Sequence, residues 1–318
     1  MLIRTAFSTL SPAGSRARLS ILIFHRVLNE PDPLFPGEVD CRRFDEMMGW
    51  VADWFNVLPL DEAVERLKRN DLPARAAAIT FDDGYADNWL NAVPILQRHG
   101  LHATFFIATG FLDGGRMWND TLIESIRGAI VPQIDLSWLG HGHGVRSLSS
   151  LEDKRSGLDI LIPAIKHMDF SERQEAVLRV AEICGADLRN DLMLTSAQLC
   201  GLYATGMGVG AHTLSHPILA RLDAASAYRE IGESRDVLEG MLKERIGLFA
   251  YPNGKLEQDY QPEHVDMVRT LGFDAAVSTN WGASSRDADM FQLQRFTPWD
   301  VTRSRFGLRL VRNLVRPE

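Results

Sequence analysis

Cysteine is scarce in this chain and positive charge is in deficit. Only three cysteines, Cys41, Cys184 and Cys200, occur in 318 residues. They are widely spaced with no CxxC pair, which excludes a disulfide framework and a thiolate zinc site and leaves buried free thiols of a reducing compartment as the expectation. Lys and Arg number 34 against 42 Asp and Glu, for a formal net charge of -8. The surplus of basic side chains that phosphate binding needs is missing, so no nucleic-acid partner is expected. No apolar run approaches the roughly 18 residues of a membrane span. Ile21 to Phe24 is too short for the apolar segment of an export signal, which needs about 7–15 residues. With no signal peptide and no transmembrane helix in view, the expected location is cytoplasmic.

The composition that remains, 45% apolar and 24% charged, is that of an ordinary folded protein, long enough for one large α/β domain. Short β-rich runs alternate with helical patterns, the signature of βα units around a mainly parallel sheet or barrel. Strands are expected near Leu19–His25, Ala76–Asp82, Ala103–Ile107, Met207–Ala211, Leu248–Tyr251, Asp274–Val277 and Gln292–Phe296. Helical periodicity covers Phe44–Trp54, Leu60–Lys68, Trp89–His99, Ala224–Leu242 and Pro262–Leu271, with Asp61, Asp87, Asp223 and Gln261 near plausible starts. From about residue 112 to 193 the alternation stops, and segments at Thr121–Ala129, Asp153–His167 and Glu172–Ile183 read as a helical insertion. Its glycine-rich centre, Leu139-Gly140-His141-Gly142-His143-Gly144, reads as a mobile loop, since alternating His and Gly lacks a full ligand set. The end of the chain, residues 301–318, is a basic amphipathic segment, suited either to docking on its own domain or to peripheral contact with an anionic membrane.

Three constellations carry chemistry. In Thr80-Phe81-Asp82-Asp83-Gly84-Tyr85 an apolar strand ends in two adjacent carboxylates, which face different directions and suit two jobs, metal binding and proton handling. Alone, such a tripeptide is more often a turn that caps the next helix. In His212-Thr213-Leu214-Ser215-His216-Pro217 the two imidazoles are spaced i and i+4, so on one helical turn they could share an ion. With a carboxylate from another strand they complete a two-His, one-carboxylate set with open positions. In Ala250-Tyr251-Pro252-Asn253-Gly254 a strand runs into a turn that gains meaning only as a loop on the same barrel face. Tyr85 and Trp118 are candidate sugar-stacking residues.

The set TFDDGY, HTLSHP and AYPNG, in that order with βα units between, resembles the polysaccharide deacetylases of the NodB-homology group, carbohydrate esterase family 4. The resemblance runs from about Leu19 to Phe296 outside the helical insertion. It implies a distorted, incomplete (β/α) barrel, with Asp83, His212 and His216 as metal ligands and Asp82 as catalytic base. The implied ion is a single divalent one, zinc first, with cobalt, nickel or manganese as alternatives. The implied partner is an N-acetylated amino-sugar glycan, from which the acetyl group is hydrolysed. The family pattern points to the backbone N–H of Asn253 for the oxyanion, with Tyr251 and Pro252 beside it toward substrate.

The chain departs from that pattern twice. An Arg usually stands two residues before the motif proline, where Ala250 stands here, and the usual C-terminal Leu-x-His strand reads Leu293-Gln294-Arg295-Phe296. Arg295 is expected to take the vacated place by setting its guanidinium against Asp82. The first strand ends Leu22-Ile23-Phe24-His25, and because first and last strands of a barrel are neighbours, His25 is expected as general acid in a circularly permuted arrangement resembling the deacetylases of poly-N-acetylglucosamine. Asn29-Glu30-Pro31-Asp32-Pro33 beyond it reads as a site-rim loop. Two other readings remain open: an amidase of the same fold on a non-sugar amide, and a degenerate deacetylase that binds glycan without cleaving it. A cytoplasmic enzyme acting on a lipid-linked or nascent glycan at the inner membrane face fits the N-terminus.

Overall fold

The computed structural model describes residues 2–140 and 142–316. Its strands are β1 (Ser20–Phe24), β2 (Asn56–Val57), β3 (Ala76–Phe81), β4 (Thr104–Ile107), β5 (Gln133–Asp135), β6 (Val145–Ser147), β7 (Gly208–Ala211), β8 (Leu248–Ala250), β9 (Ala275–Val277) and β10 (Arg295–Phe296). The α-helices are α1 (Leu2–Leu10), α2 (Cys41–Trp54), α3 (Leu60–Arg69), α4 (Val93–Arg98), α5 (Trp118–Arg127), α6 (Leu151–Lys166), α7 (Phe170–Cys184), α8 (Ser196–Ala204), α9 (Ala224–Leu242), α10 (Pro262–Thr270) and α11 (Arg303–Leu314).

The chain divides into two compact units. The first comprises Met1–Asn29, Val39–Leu112 and Leu194–Glu318. Its strands form one sheet in the order β10-β1-β3-β4-β7-β8-β9, with β2 on the flank of β3. Every pairing in it is parallel, including β1 with β10 in the register Ile21 to Arg295 and Leu22 to Phe296. A bridge between Val277 and Leu293 ties the last strand of that order back toward the first, so the sheet is a nearly closed (β/α) barrel. Helices cover its outside, which is why β1 and β3 are buried along their whole length and read as unbroken apolar runs. Gly210 shows how tightly the wall packs: a Cβ there would lie 2.5 Å from the Phe106 ring.

The second unit, Glu30–Glu38 and Asp113–Met193, has its own core around Leu122, Ile126, Leu158, Leu161 and Val180. Helices α5, α6 and α7 build it, and Ser150 with Asp153 forms a capping box at the start of α6. Strands β5 and β6 pair as an antiparallel hairpin, so the glycine-rich segment is the connection of a hairpin. His141 lies outside the described residues. The Asn29–Pro33 stretch read as a site rim joins this unit from Glu30 onward, and Asp32 is bound by Arg127 at 2.6 and 2.9 Å.

Asp223 and Gln261 are N-caps, Asp61 lies in the first turn of α3, and Asp87 precedes a π-helical turn, so all four stand at helix starts. Trp89–His99 is a π-helical turn over Asn88–Ala92 followed by α4, and Pro94, with no N–H to give, stands just past the change of register. Of the three thiols only Cys184 is buried, Cys41 is half-buried and Cys200 exposed.

Candidate active site

The motifs meet at the C-terminal ends of the barrel strands, where parallel α/β sheets place their chemistry. Asp82 and Asp83 follow β3, His212 follows β7, and Asn253 lies three residues beyond the end of β8. The backbone is forced there. Asp83 (φ 77°), Thr213 (φ 65°), His216 (φ 52°) and Asn253 (φ 58°) are all left-handed without being glycine. For a β-branched Thr this is an uncommon conformation, and each such residue costs on the order of 1–3 kcal/mol, so strain is concentrated where the side chains converge.

Asp83 Oδ1 lies 3.3 Å from His212 Nε2 and 3.4 Å from His216 Nε2. One ligand atom from each of the three lies within 4.8 Å of the others, and among the described residues this is the one group of its kind. His212 Nδ1 is 2.8 Å from the Ala250 carbonyl. That bond assigns the proton to Nδ1 and turns the Nε2 lone pair toward Asp83, the outer-shell arrangement that metal-binding imidazoles use. Asp83 Oδ1 is buried and has no hydrogen-bond partner. A buried acceptor left unmade is expensive in a finished ion pair and natural where a cation is meant to sit, so the donor set fits a divalent ion.

His212 and His216 do not share a helical turn. They are brought together by a loop whose imidazole centroids are 4.8 Å apart. Thr213 Oγ1 accepts from the His216 N–H at 3.1 Å. Glu230, on α9, accepts from the N–H groups of Leu214 and Ser215, both at 2.9 Å, and from the Ser215 hydroxyl at 2.7 Å. Sequence reasoning missed Glu230, because nothing distinguishes it from other helix-surface carboxylates until the loop is folded over it.

Asp82 is buried, and the Arg295 guanidinium grips it with two 2.7 Å bonds, Nη1 to Oδ1 and Nη2 to Oδ2. Arg295 is itself fully buried, and its Nε donates to the Ser278 carbonyl at 2.7 Å. Parallel pairing of β1 between β10 and β3 is what sets this Arg opposite this Asp. Burial alone would push the Asp82 carboxyl up, but the charges of Arg295 and His212 outweigh it and hold it below the usual carboxylate range. Asp83 is likewise pushed up by burial and held far lower by His212 and His216. Burial drives the His216 imidazole down to about 4, while His212, between two carboxylates, is raised despite its burial.

His25 is exposed at the end of β1, the strand paired with β3, whose end carries Asp82 and Asp83. Its segment is held from the π-helical turn: Asn88 Nδ2 donates to the His25 carbonyl at 2.9 Å and Asn91 Nδ2 to the Val27 carbonyl at 2.7 Å. Asp87 accepts from the Val27 N–H and from Arg26 Nε.

A family model of polysaccharide deacetylases matches residues 69–146 and 189–276, more than half of the chain. The chain belongs to the polysaccharide deacetylase family. It is 23% identical over 281 residues to the polysaccharide deacetylase-type protein YxkH of Bacillus subtilis (strain 168), covering 88% of this chain and 71% of that one. Its fold is shared with the deacetylase PplD of Streptococcus pyogenes, solved in complex with acetate, at a TM-score of 0.61 and 20% identity over 95% of this chain and 99% of that one. It is shared as well with IcaB from Ammonifex degensii, at 0.57 and 17% over 96% and 98% of the two chains.

Two of the expected substrate contacts in this polysaccharide deacetylase are corrected by burial. The Tyr251 ring is fully buried and stacks on Tyr260 at 3.9 Å, in the apolar layer it shares with Phe249, Val265 and Phe273. Tyr85 is buried too, with the Arg26 guanidinium 4.7 Å above its ring, so neither offers a face to a sugar. Pro252 is buried and Asn253 half-buried. Trp118 belongs to the helical unit, where it opens α5 and faces Arg173 at 5.4 Å.

Proposed function

We propose that this chain is a metal-dependent hydrolase that removes N-acetyl groups from amino sugars of a polysaccharide or its glycan precursor, working as one deacetylase domain with the helical unit as an insertion. The observation that carries the reading is the unpartnered Asp83 oxygen between two imidazoles, beside a second carboxylate clamped by an arginine. Asp83, His212 and His216 would hold the ion, zinc before cobalt, nickel or manganese. When bound, the ion supplies Lewis acidity toward the acetyl carbonyl and makes water at the site more acidic.

The rest of the reaction falls to the chain's own groups. Asp82, kept ionised by Arg295, accepts the proton of the attacking water; each of its oxygens has lone pairs beyond the one given to the guanidinium. The Asn253 N–H, on its left-handed turn, serves the developing oxyanion. His25 protonates the departing sugar amine as the carbon–nitrogen bond breaks, and acetate leaves. The substrate in this reading is met while nascent or lipid-linked, at the inner membrane face.

The test is acetate release from chitin oligomers by protein dialysed against a chelator and then given zinc, with a simple cyclic amide as comparison. Zinc-restored release from the oligomer alone is the expected result, and hydrolysis of the cyclic amide alone would favour an amidase. The Asp82→Asn variant should keep its metal and lose about 10²–10⁴-fold in turnover.

A further inference from the structure

We infer that the outward face of α11, with Trp299 at its head, is a docking surface for an anionic phospholipid bilayer. The inward face of the helix is spent on the barrel: Phe306, Gly307, Leu310, Asn313 and Leu314 are buried, and Asn313 Nδ2 donates to the Gly282 carbonyl at 2.7 Å. The opposite face carries Arg305, Leu308 and Arg312 at intervals of three and four residues, with Val301 just before the N-cap Thr302 and Val315 at the C-cap. Val301 is 70% exposed, Leu308 57% and Val315 59%, and Trp299 just before them is 61% exposed. Large apolar side chains this open on one helix and at both of its ends are not explained by the packing of the barrel.

Charge selects the occupant. Arg305 is 79% exposed and reaches Asp300 at 3.4 Å, but Asp300 is already engaged by Arg309 at 2.6 Å. Arg312 is exposed on the same face and Arg316 is exposed just past the C-cap, so a stretch of net positive charge stands on a chain of formal charge -8. A neutral N-acetylated glycan gives these guanidiniums nothing to pair with, and its deacetylated product is cationic. A second copy meeting the same face would set Arg305 and Arg312 against themselves. An anionic lipid surface satisfies both halves of the pattern: arginines pair with headgroup phosphates while Trp, Leu and Val enter the headgroup and acyl boundary. Trp299 lies three residues beyond the C-terminal end of β10, so this surface begins at the face of the barrel that bears the motifs.

The test uses the full chain and needs no turnover, so its failure is distinct from failure of the deacetylase reading. The protein is sedimented with vesicles of equal parts phosphatidylglycerol and phosphatidylcholine, and with phosphatidylcholine alone. Binding to the anionic vesicles that weakens with salt is expected, with little to the neutral ones. The double variant Arg305→Glu/Arg312→Glu should lose at least about tenfold in vesicle affinity, and Leu308→Ser/Val315→Ser should also weaken. Both leave the buried face of α11 intact and should melt at the wild-type temperature. Equal partition to the two vesicle types, undiminished binding by the charge variant, or displacement from vesicles by soluble chitin oligomers would overturn the inference.

Discussion

A buried carboxylate keeps its charge only if something nearby pays for the lost water, and Asp82 and Asp83 solve this differently. Asp82 has a bidentate arginine; Asp83 has two imidazoles close to its Oδ1, neither of them hydrogen-bonded to it. Replacing Arg295 by Ala leaves Asp82 buried and alone, which should lower stability by about 3–5 kcal/mol. Arg295→Lys restores the charge without the fork, so it should recover stability better than it recovers turnover. Chemical denaturation beside acetate release separates the two effects, and full activity in the Lys variant would mean the fork is not needed. Glu230 works at one remove, through the loop that carries His216. Glu230→Ala should weaken zinc binding about 10–100-fold, with Glu230→Gln retaining part of it, measured by competition with a chromophoric chelator. Unchanged affinity in the Ala variant would make Glu230 a surface residue of the loop.

At the scale of elements, strands and carboxylate motifs were legible in the sequence because central strands of a parallel barrel are apolar throughout and their ends are marked by turn residues. The Asp82–Arg295 contact could be expected too, since Ala250 leaves the place of the motif arginine vacant and Arg295 stands on the last strand of the barrel. The HxxxH spacing was a weaker guide: the imidazoles do meet, through a loop with two left-handed residues that no periodicity encodes. Helix α8 shows no helical apolar period, and only the capping box of Thr195 and Gln198 announces it. Strand β2, two residues long, is too short to show a period. The burial of Tyr251 and Tyr85 depends on neighbours far away in sequence, which a motif cannot show. The π-helical turn is a device of this scale, because its extra residue lets Asn88 and Asn91 both reach the β1 end. Asn88→Ala should lower turnover by about tenfold or more through misplacement of His25 while leaving metal content unchanged. A loss of metal instead would show that the turn supports the ligands.

In the helical unit, Arg127 and the Leu34 N–H hold the Asp32 carboxyl below its ordinary value. A carboxyl lowered by folding stabilises the fold above its unfolded pKa of about 3.9, and that contribution is lost as pH falls through the folded value. The unit should therefore lose stability below about pH 4, and Arg127→Ala should remove that part of the dependence, by about 1 kcal/mol at pH 6. Melting curves at pH 6 and pH 3 read this directly, and an unchanged difference in the variant would assign the acid sensitivity elsewhere.

For the whole molecule, the barrel brings two carboxylates and two imidazoles together at the ends of its strands, and the central claim is that a divalent ion belongs there. The direct measurement is metal content by mass spectrometry of folded wild type, Asp83→Ala, His212→Ala and Asp82→Asn after equilibration with zinc. One ion per chain in wild type and Asp82→Asn, with little in Asp83→Ala and His212→Ala, is the predicted result. Stoichiometric metal in folded Asp83→Ala and His212→Ala would contradict it.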